Sequence, residues 1–142
     1  MAGHYETLET LIDAWKRGDV ATVTGLMTDD IVWHYAAAIA PPLSGKAAAV
    51  EFLTNFRATM GEVRWRIFHH AEAGPLLFLE GVDEYVGTDG VRVAAPYAGV
   101  LEFRDGKVCA WRDYFDMGLV QRMKAGKDAP DHVEALIARP AV

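Results

Sequence analysis

The hydrophobic period of this chain changes at Gly61, and that change restricts the fold more than any other feature. Before Gly61, apolar residues recur at helical spacing, as they do between Tyr5 and Trp15. After Gly61, apolar and polar residues alternate, which is typical of strands with one buried face. Helices that precede a run of strands predict the α+β class, with a curved antiparallel sheet wrapped around the N-terminal helices. Such a wrap leaves a pocket between sheet and helices, where a small ligand can bind.

Turn-forming residues divide the chain into the expected elements. Pro41-Pro42 must lie in a loop after the first short strand, because proline fits neither a helix interior nor a central strand. A second long helix is expected to begin at Ser44 or Gly45. Its expected buried residues are Val50, Leu53, Phe56 and Met60. Asp105-Gly106 predicts a tight hairpin between the last two strands.

Composition and charge limit the possible functions. With 142 residues, 51% of them hydrophobic, the chain is expected to form a single domain over residues 1–142. Its net charge of −6 argues against a nucleic-acid partner, because nucleic-acid binders usually carry a basic face. No apolar run approaches the ~18 residues that span a bilayer, and the first residues do not resemble a secretory signal. We therefore expect no membrane partner and a cytoplasmic location.

Two aspartates are expected on apolar strand faces. Asp113 alternates in register with Cys109, Trp111 and Phe115. Asp83 alternates in register with Leu77, Leu79, Gly81 and Tyr85. A lone buried carboxylate is costly unless it is hydrogen-bonded, paired or protonated, so each aspartate could simply brace the sheet. Two aspartates that face one cavity would instead titrate as a coupled pair, which suits general acid–base catalysis.

Other side chains are candidates for contact with a substrate. Either His34 or Tyr35 must point to the concave side of the sheet, and the alternation alone leaves open which one. His69 shares its expected face with apolar residues, as a cavity residue or as a satisfied core histidine. Tyr97 could hydrogen-bond a ligand or pack as an ordinary aromatic residue. A hydrophobic wall is expected from Trp65, Trp111 and Phe115.

Competing chemistries find little support in the sequence. No serine lies in a Gly-x-Ser-x-Gly turn, and Cys109, the single cysteine, has no recognisable partner. The glycines form no phosphate-binding loop after a strand. His69 and His70 are adjacent on a strand and therefore point to opposite faces, which is poor geometry for a metal site. We expect no metal and no cofactor. We expect the substrate to be small and hydrophobic.

The order of elements and three motifs resemble a known superfamily. Two helices, a short strand, a proline loop, a helix and four strands are similar to the cone-shaped, cystatin-like fold of the nuclear transport factor 2-like superfamily. Within it, "PPLSGKAAAVEFL", "EGVDEY" and "WRDYFD" resemble the limonene-1,2-epoxide hydrolase family. The likeness covers residues 5–123, and strings similar to "WRDYFD" also occur in polyketide-cyclase-like relatives.

The resemblance implies roles for three residues. In the epoxide hydrolase family one Asp, with a Tyr and an Asn, holds a water molecule and removes its proton. Asp113 matches that Asp, and Tyr35 matches the Tyr. A second Asp, matched by Asp83, donates a proton to the epoxide oxygen. The family's Arg, which bridges the two carboxylates, falls on Gly81, and its Asn falls on Ala37.

These two replacements are expected to change the site. Without the Arg, the pKa of the more easily protonated Asp should rise, and without the Asn the water loses a hydrogen-bond partner. Gly81 and Ala37 are expected to enlarge the pocket. Arg112 alternates to the opposite face from Asp113, so it does not replace the missing Arg. The remaining candidates for a substitute charge or a second protonatable group are Arg57, Arg66, His34 and His69.

Three functions remain open. The first is a cofactor-independent epoxide hydrolase, with Asp113 as base toward water, Asp83 as acid and Tyr35 orienting the water. The second is a lyase, isomerase or cyclase, in which either aspartate removes a carbon-bound proton and Tyr35, Tyr97 or a histidine stabilises the oxyanion. The third is a module that binds a small ligand without catalysis. Retention of both aspartates favours the two enzymes.

The convex face of the sheet is expected to be too apolar for open solvent. Its expected members are Phe68, Phe78, Val82, Val100 and Tyr114. Exposed apolar patches of this kind usually mark interaction surfaces. We therefore expect a homodimer through the convex face.

Overall fold

The computed structural model describes residues 3–142, which form five helices and seven strands. In chain order these are α1 (His4–Lys16), α2 (Val20–Gly25), β1 (Met27–His34), β2 (Leu43–Ser44), α3 (Lys46–Arg57), β3 (Met60–Val63), β4 (Arg66–Ala73), β5 (Leu76–Gly87), β6 (Arg92–Arg104), β7 (Lys107–Phe115), α4 (Met117–Lys124) and α5 (Asp131–Ile137). None of the helices in this part of the chain is long and apolar enough to span a membrane.

The helices form where the apolar spacing predicts them. Asp19 caps α2, and its side chain accepts a hydrogen bond from the Thr22 backbone N–H at 3.0 Å. The buried face of α3 differs from the expected one. Ala49 and Leu53 are buried, whereas Val50 is 38% exposed, and Met60 lies in β3 beyond the helix end.

The sheet has the strand order β2-β1-β7-β6-β5-β3, and β4 pairs with β5 beside β3. All pairs formed among β3 to β7 are antiparallel, and the Asp105-Gly106 turn joins β6 to β7 as expected, with Asp105 at φ 52°. The pair β1–β7 is parallel, so the expectation of a wholly antiparallel sheet is wrong at this position. Because β1 and β7 are the first and last strands along the chain, no tight turn sets their relative direction.

The α+β prediction is confirmed, with the sheet curled around the N-terminal helices. One core cluster joins α1 and α2 to the concave face of the sheet, including Leu8, Leu11, Val23, Leu77 and Leu101. The helix α4 packs beside the first half of β6, beyond the point where β7 ends its pairing at Phe115. There the Ala94 N–H donates to the sulfur of Met123 at 3.4 Å, so α4 satisfies a donor that β7 does not reach.

The strand expected from Glu62 to Ala73 is divided and bulged. It forms β3 and β4, and the pairing of β4 with β5 shifts between Ile67 and His69, with Phe68 as the extra residue. Past the bulge every side chain changes face. His70 therefore points inward and stacks on Tyr5 of α1, with ring centroids 3.6 Å apart.

The C-terminal segment covers part of the convex face, so two residues of the expected dimer surface, Phe68 and Val82, are not exposed. Phe68 and Val82 are 2% and 0% exposed, and Arg139, just after α5, lies over the Phe68 ring at 4.5 Å. Glu84 on the same face is buried and binds Arg66 and Arg92, each at 2.9 Å. Because Arg92 also binds Glu134 of α5 at 2.8 Å, this ion network holds α5 against the sheet.

A homodimer through the rest of the convex face stays a prediction. Phe78 and Tyr114 are 42% and 47% exposed there, beside partly buried Val100. We expect the protein to be dimeric by light scattering and the Phe78→Glu variant to be monomeric, since a carboxylate would be buried unpaired in the interface. Ile39→Glu, at an exposed apolar residue outside β4–β7, should remain dimeric. A monomeric wild type would contradict the prediction.

Candidate active site

A cavity of about 560 Å³ lies between the concave face of the sheet and the helices. Its lining comes from α1 to α4 and from every long strand except β4. The lining residues are Leu11, Trp15, Val23, Met27, Trp33, Tyr35, Ala36, Phe52, Leu53, Asn55, Phe56, Trp65, Asp83, Tyr85, Val93, Ala95, Tyr97, Trp111, Asp113, Phe115, Met117, Val120 and Lys124. Ten of these 23 residues are aromatic, so the cavity offers little solvation to a charged group.

Asp83 reaches the cavity from β5, as its alternation with Leu79 and Tyr85 predicts. Its carboxylate accepts no hydrogen bond from any side chain or backbone group of residues 3–142. Burial among apolar side chains raises the pKa of Asp83 to about 6. The carboxylate is therefore mostly ionised at neutral pH and has free lone pairs that face the cavity.

Asp113 reaches the same cavity from β7, two strands away from Asp83. The Trp111 indole N–H donates to Asp113 Oδ1 at 2.9 Å. Burial raises the pKa of Asp113 to about 8, the Trp111 hydrogen bond opposes this shift, and the negative charge of Asp83 adds to it. At neutral pH one proton is therefore held mainly on Asp113, while Asp83 is mainly ionised.

Gly99 makes room for the Asp113 carboxylate, a role that the sequence analysis missed. The two residues are opposite each other in the β6–β7 pairing, and a Cβ on Gly99 would lie 2.6 Å from Asp113 Oδ1. No local sequence signal shows this, because the two residues are joined only by the register of the sheet.

We expect Gly99→Ala to displace the Asp113 carboxylate and break its Trp111 hydrogen bond. The expected loss of unfolding free energy is about 2 kcal/mol, within the usual cost of overpacking. Thermal unfolding of Gly99→Ala, of Asp113→Ala and of the double variant tests whether the collision with the Asp113 carboxylate causes this loss. The cost of Gly99→Ala should shrink in the Asp113→Ala background, and an unchanged cost would contradict this account.

Tyr97 lies on β6, the strand between the two that carry Asp83 and Asp113. Its hydroxyl oxygen accepts a hydrogen bond from the Trp65 indole N–H at 2.7 Å, so the hydroxyl proton is free to be donated. Burial, and then the negative charges of Asp113 and Asp83, raise the pKa of Tyr97 well above its usual value. The structure thus brings a neutral phenol and two carboxyl groups to one cavity.

Tyr35 faces the cavity from the loop after β1, which answers the question left open between it and His34. Its ring packs on Phe52 of α3, with centroids 4.5 Å apart. The loop is joined to β7 because the Ala37 N–H donates to the Asp113 carbonyl oxygen at 2.9 Å. Tyr35 and Asp113 are therefore held in the same part of the cavity.

Two of the residues predicted as substrate contacts, His34 and His69, do not line the cavity. His34 pairs with Arg112 in the β1–β7 register, on the outer face. The bulge at Phe68 turns His69 outward, where its imidazole is 74% exposed and contacts Glu80 at 3.0 Å. The other predicted contacts, Trp65, Tyr97, Trp111 and Phe115, all line the cavity.

The position of Gly81 has no space for the arginine that the resemblance implies. A Cβ there would collide with the carbonyl oxygen of Arg66 and lie 3.1 Å from Ile67 Cδ1. The expectation that Gly81 enlarges the pocket is therefore wrong, because β4 fills the space. Arg66 binds Glu84, and Arg57 donates to the carbonyl oxygens of Trp15, Lys16 and Met60, so neither arginine substitutes.

Two polar residues at the mouth of the cavity were not predicted. Asn55 on α3 and Lys124 on α4 are exposed yet belong to the lining. Helical spacing could have shown both, since Asn55 follows Phe52 by three residues and Lys124 follows Met117 by seven. Among the described residues, no group of three or more His, Cys, Asp or Glu side chains could hold a metal ion.

Comparison with known proteins agrees with this architecture. An LEH-like epoxide hydrolase from M. tuberculosis is 22% identical with a TM-score of 0.73, covering 94% of each chain. Proteins described as SnoaL-like polyketide cyclases from Shewanella denitrificans and Shewanella putrefaciens are 17% and 18% identical, each with a TM-score of 0.77. They cover 87% and 89% of this chain and 97% and 99% of their own chains. At these identities the likeness shows the fold.

A match to a sequence family shows to which family the chain belongs. Residues 8–111, well over half of the chain, match the family described as "SnoaL-like domain". The matched range includes β1, α3, β5 and β6, and ends at Trp111, two residues before Asp113. The chain therefore belongs to the SnoaL-like domain family.

Proposed function

We propose that this protein is an acid–base enzyme that removes a proton from carbon next to the carbonyl group of a small apolar substrate. The observation that carries the proposal is the placement of Asp83, Tyr97 and Asp113 on three adjacent strands, facing one apolar cavity. A base and two neutral hydrogen-bond donors in a water-poor site are what enolisation requires.

Each group has a role in the proposed step. The Asp83 carboxylate takes the proton from carbon, and the electron pair of that C–H bond moves onto the carbonyl oxygen. Tyr97 and protonated Asp113 donate hydrogen bonds to this oxygen as its negative charge develops. Return of the proton to another carbon gives an isomerase, attack of the enolate on a second carbonyl gives a cyclase, and loss of a leaving group gives a lyase.

Epoxide hydrolysis is the second candidate. Tyr35, Asp83 and Asp113, the three residues that the resemblance implies for it, share the cavity. Two observations favour enolisation over it. A positioned water needs two to four polar partners, and because Ala37 and Gly81 supply none, only Tyr35 and Asp113 remain of the groups that the resemblance implies for holding it. Asp113 would also have to act as the base toward water, whereas its raised pKa supports an acid.

Isotope exchange separates the candidates. The wild type and Asp83→Asn would be incubated in ²H₂O with a panel of small cyclic and aryl ketones, and loss of α-proton signals followed by NMR. Parallel samples would contain cyclic terpene and aryl epoxides in ¹⁸O-labelled water. Exchange by the wild type alone supports the proposal, whereas labelled diol would replace it with the hydrolase. Neither product from folded wild type on the whole panel would overturn both and leave the binding module.

We expect a bell-shaped pH dependence of kcat/KM for the exchange reaction. Activity should rise as Asp83 ionises, with a limb at a pKa of about 6, and fall as Asp113 loses its proton, at about 8. Asp113→Asn should remove the falling limb, because an amide stays a donor at high pH. Activity that instead rises through pH 8 in the wild type would show that Asp113 acts as a base.

A further inference from the structure

Within the described residues, the two carboxylates of the cavity have no buried cation as a partner. Lys124 is the single basic side chain among the described lining residues, and it is exposed at the mouth. The backbone of β4 excludes a basic side chain at Gly81, and Arg57 binds backbone carbonyls elsewhere. Residues 3–142 therefore place no positive charge beside Asp83 and Asp113 inside the cavity, and a cationic ligand would supply one.

Aromatic rings surround the same space. Trp33 contacts Trp111 and Phe52, with ring centroids 5.7 and 5.6 Å apart, and Phe52 contacts Tyr35 at 4.5 Å. Trp65 stacks on Trp111 at 6.1 Å. Aromatic faces attract organic cations, and the attraction grows when water is excluded. A weakly hydrated cation with methyl groups can enter such a cavity more easily than an inorganic ion can.

We propose that this cavity binds small organic ammonium ions, with the charged nitrogen between the aromatic rings and the two aspartates and the apolar body against the remaining wall. This ligand class is independent of the proposed enolisation, because binding needs no turnover. The net charge of −6 also favours the approach of a cation.

Binding of a cation should be linked to protonation of the site. The titratable and charged groups that line the cavity are Tyr35, Asp83, Tyr85, Tyr97, Asp113 and Lys124. Of these, Asp83 and Asp113 change charge between pH 5 and pH 9. A cation favours their ionised forms, so its affinity should rise with pH in this interval, whereas that of a neutral ligand should not.

A pair of isosteric probes tests the inference in the wild-type protein. Phenyltrimethylammonium and tert-butylbenzene have the same shape and differ in one positive charge. All four tryptophans of the chain line the cavity, so their fluorescence reports binding. At pH 9 we expect the cation to bind at least about tenfold more tightly than the neutral probe. At pH 5 this preference should fall at least about fivefold, because both carboxylates are then protonated.

The variant with Asp83→Asn and Asp113→Asn keeps the shape of the cavity and removes both charges. Its preference for the cation should be small and independent of pH. The inference is overturned if tert-butylbenzene binds the wild type as tightly as the cation at pH 9, if neither probe binds, or if the preference is the same at pH 5. It is also overturned if the folded double variant keeps the wild-type preference.

Discussion

Replacing Asp83 with asparagine is expected to lower kcat for proton exchange by ~10²- to 10⁴-fold, the usual contribution of a general base. An amide has nearly the same shape as a carboxylate and cannot accept the proton. The fold should survive, because the Asp83 carboxylate makes no hydrogen bond to residues 3–142, and its burial while charged is unfavourable. Steady-state exchange kinetics and the melting temperature of the variant would be measured together.

Asp105→Asn is the matched control for this experiment. Asp105 lies in the β6–β7 turn at φ 52°, a conformation that asparagine also adopts readily, and it does not line the cavity. The control should keep the wild-type kcat and melting temperature. Full activity in folded Asp83→Asn would show that another group is the base.

Gly81→Ala is expected to reduce the free energy of unfolding by about 3 kcal/mol, at the upper end of the cost of overpacking. The added methyl group would meet the Arg66 carbonyl oxygen and lie 3.3 Å from Ile67 Cα. Both are backbone atoms of β4, so relief requires the β4–β5 pairing to shift. Denaturant unfolding would measure the loss, and circular dichroism would show whether the variant folds.

The control for Gly81→Ala is Gly25→Ala. Gly25 ends α2 with no atom within 4 Å of an added Cβ, so this substitution should be neutral or slightly stabilising. If Gly81→Ala were as stable as Gly25→Ala, the backbone of β4 would not be the reason that no arginine stands at position 81. The space could then hold a side chain, and the role of the absent arginine would have to be reconsidered.

Alternation predicted the strand face of Asp83 and Asp113 correctly and that of His69 wrongly, and one bulge explains the difference. Strand β5 is continuous from Leu76 to Gly87, so the residues from Leu77 to Asp83 keep one face. Strand β4 gains one residue at Phe68, and the period of two then assigns His69 to the wrong face. A bulge leaves no mark in the hydrophobic pattern, because Phe68 is as apolar as a regular core residue.

Contacts between segments that are distant in the chain also could not be predicted from the sequence. The pattern of β5 marks Val82 as an outward-facing residue, but it does not show that the C-terminal segment covers that surface. Likewise, Gly81 and Gly99 are both strand glycines in the sequence. Only the register shows that one is closed by β4 and that the other receives the Asp113 carboxylate.

The proposed acid–base site requires that, at neutral pH, Asp113 holds a proton while Asp83 is ionised in the same apolar cavity. The most direct measurement is a ¹³C NMR titration of the aspartate carboxyl carbons, with Asp83→Asn and Asp113→Asn used for assignment. We predict apparent pKa values of about 6 and about 8 for the pair, and a lower pKa for Asp113 when Asp83→Asn removes the neighbouring charge. Titration of both groups near pH 4, as in solvent-exposed aspartates, would contradict the proposed acid–base site.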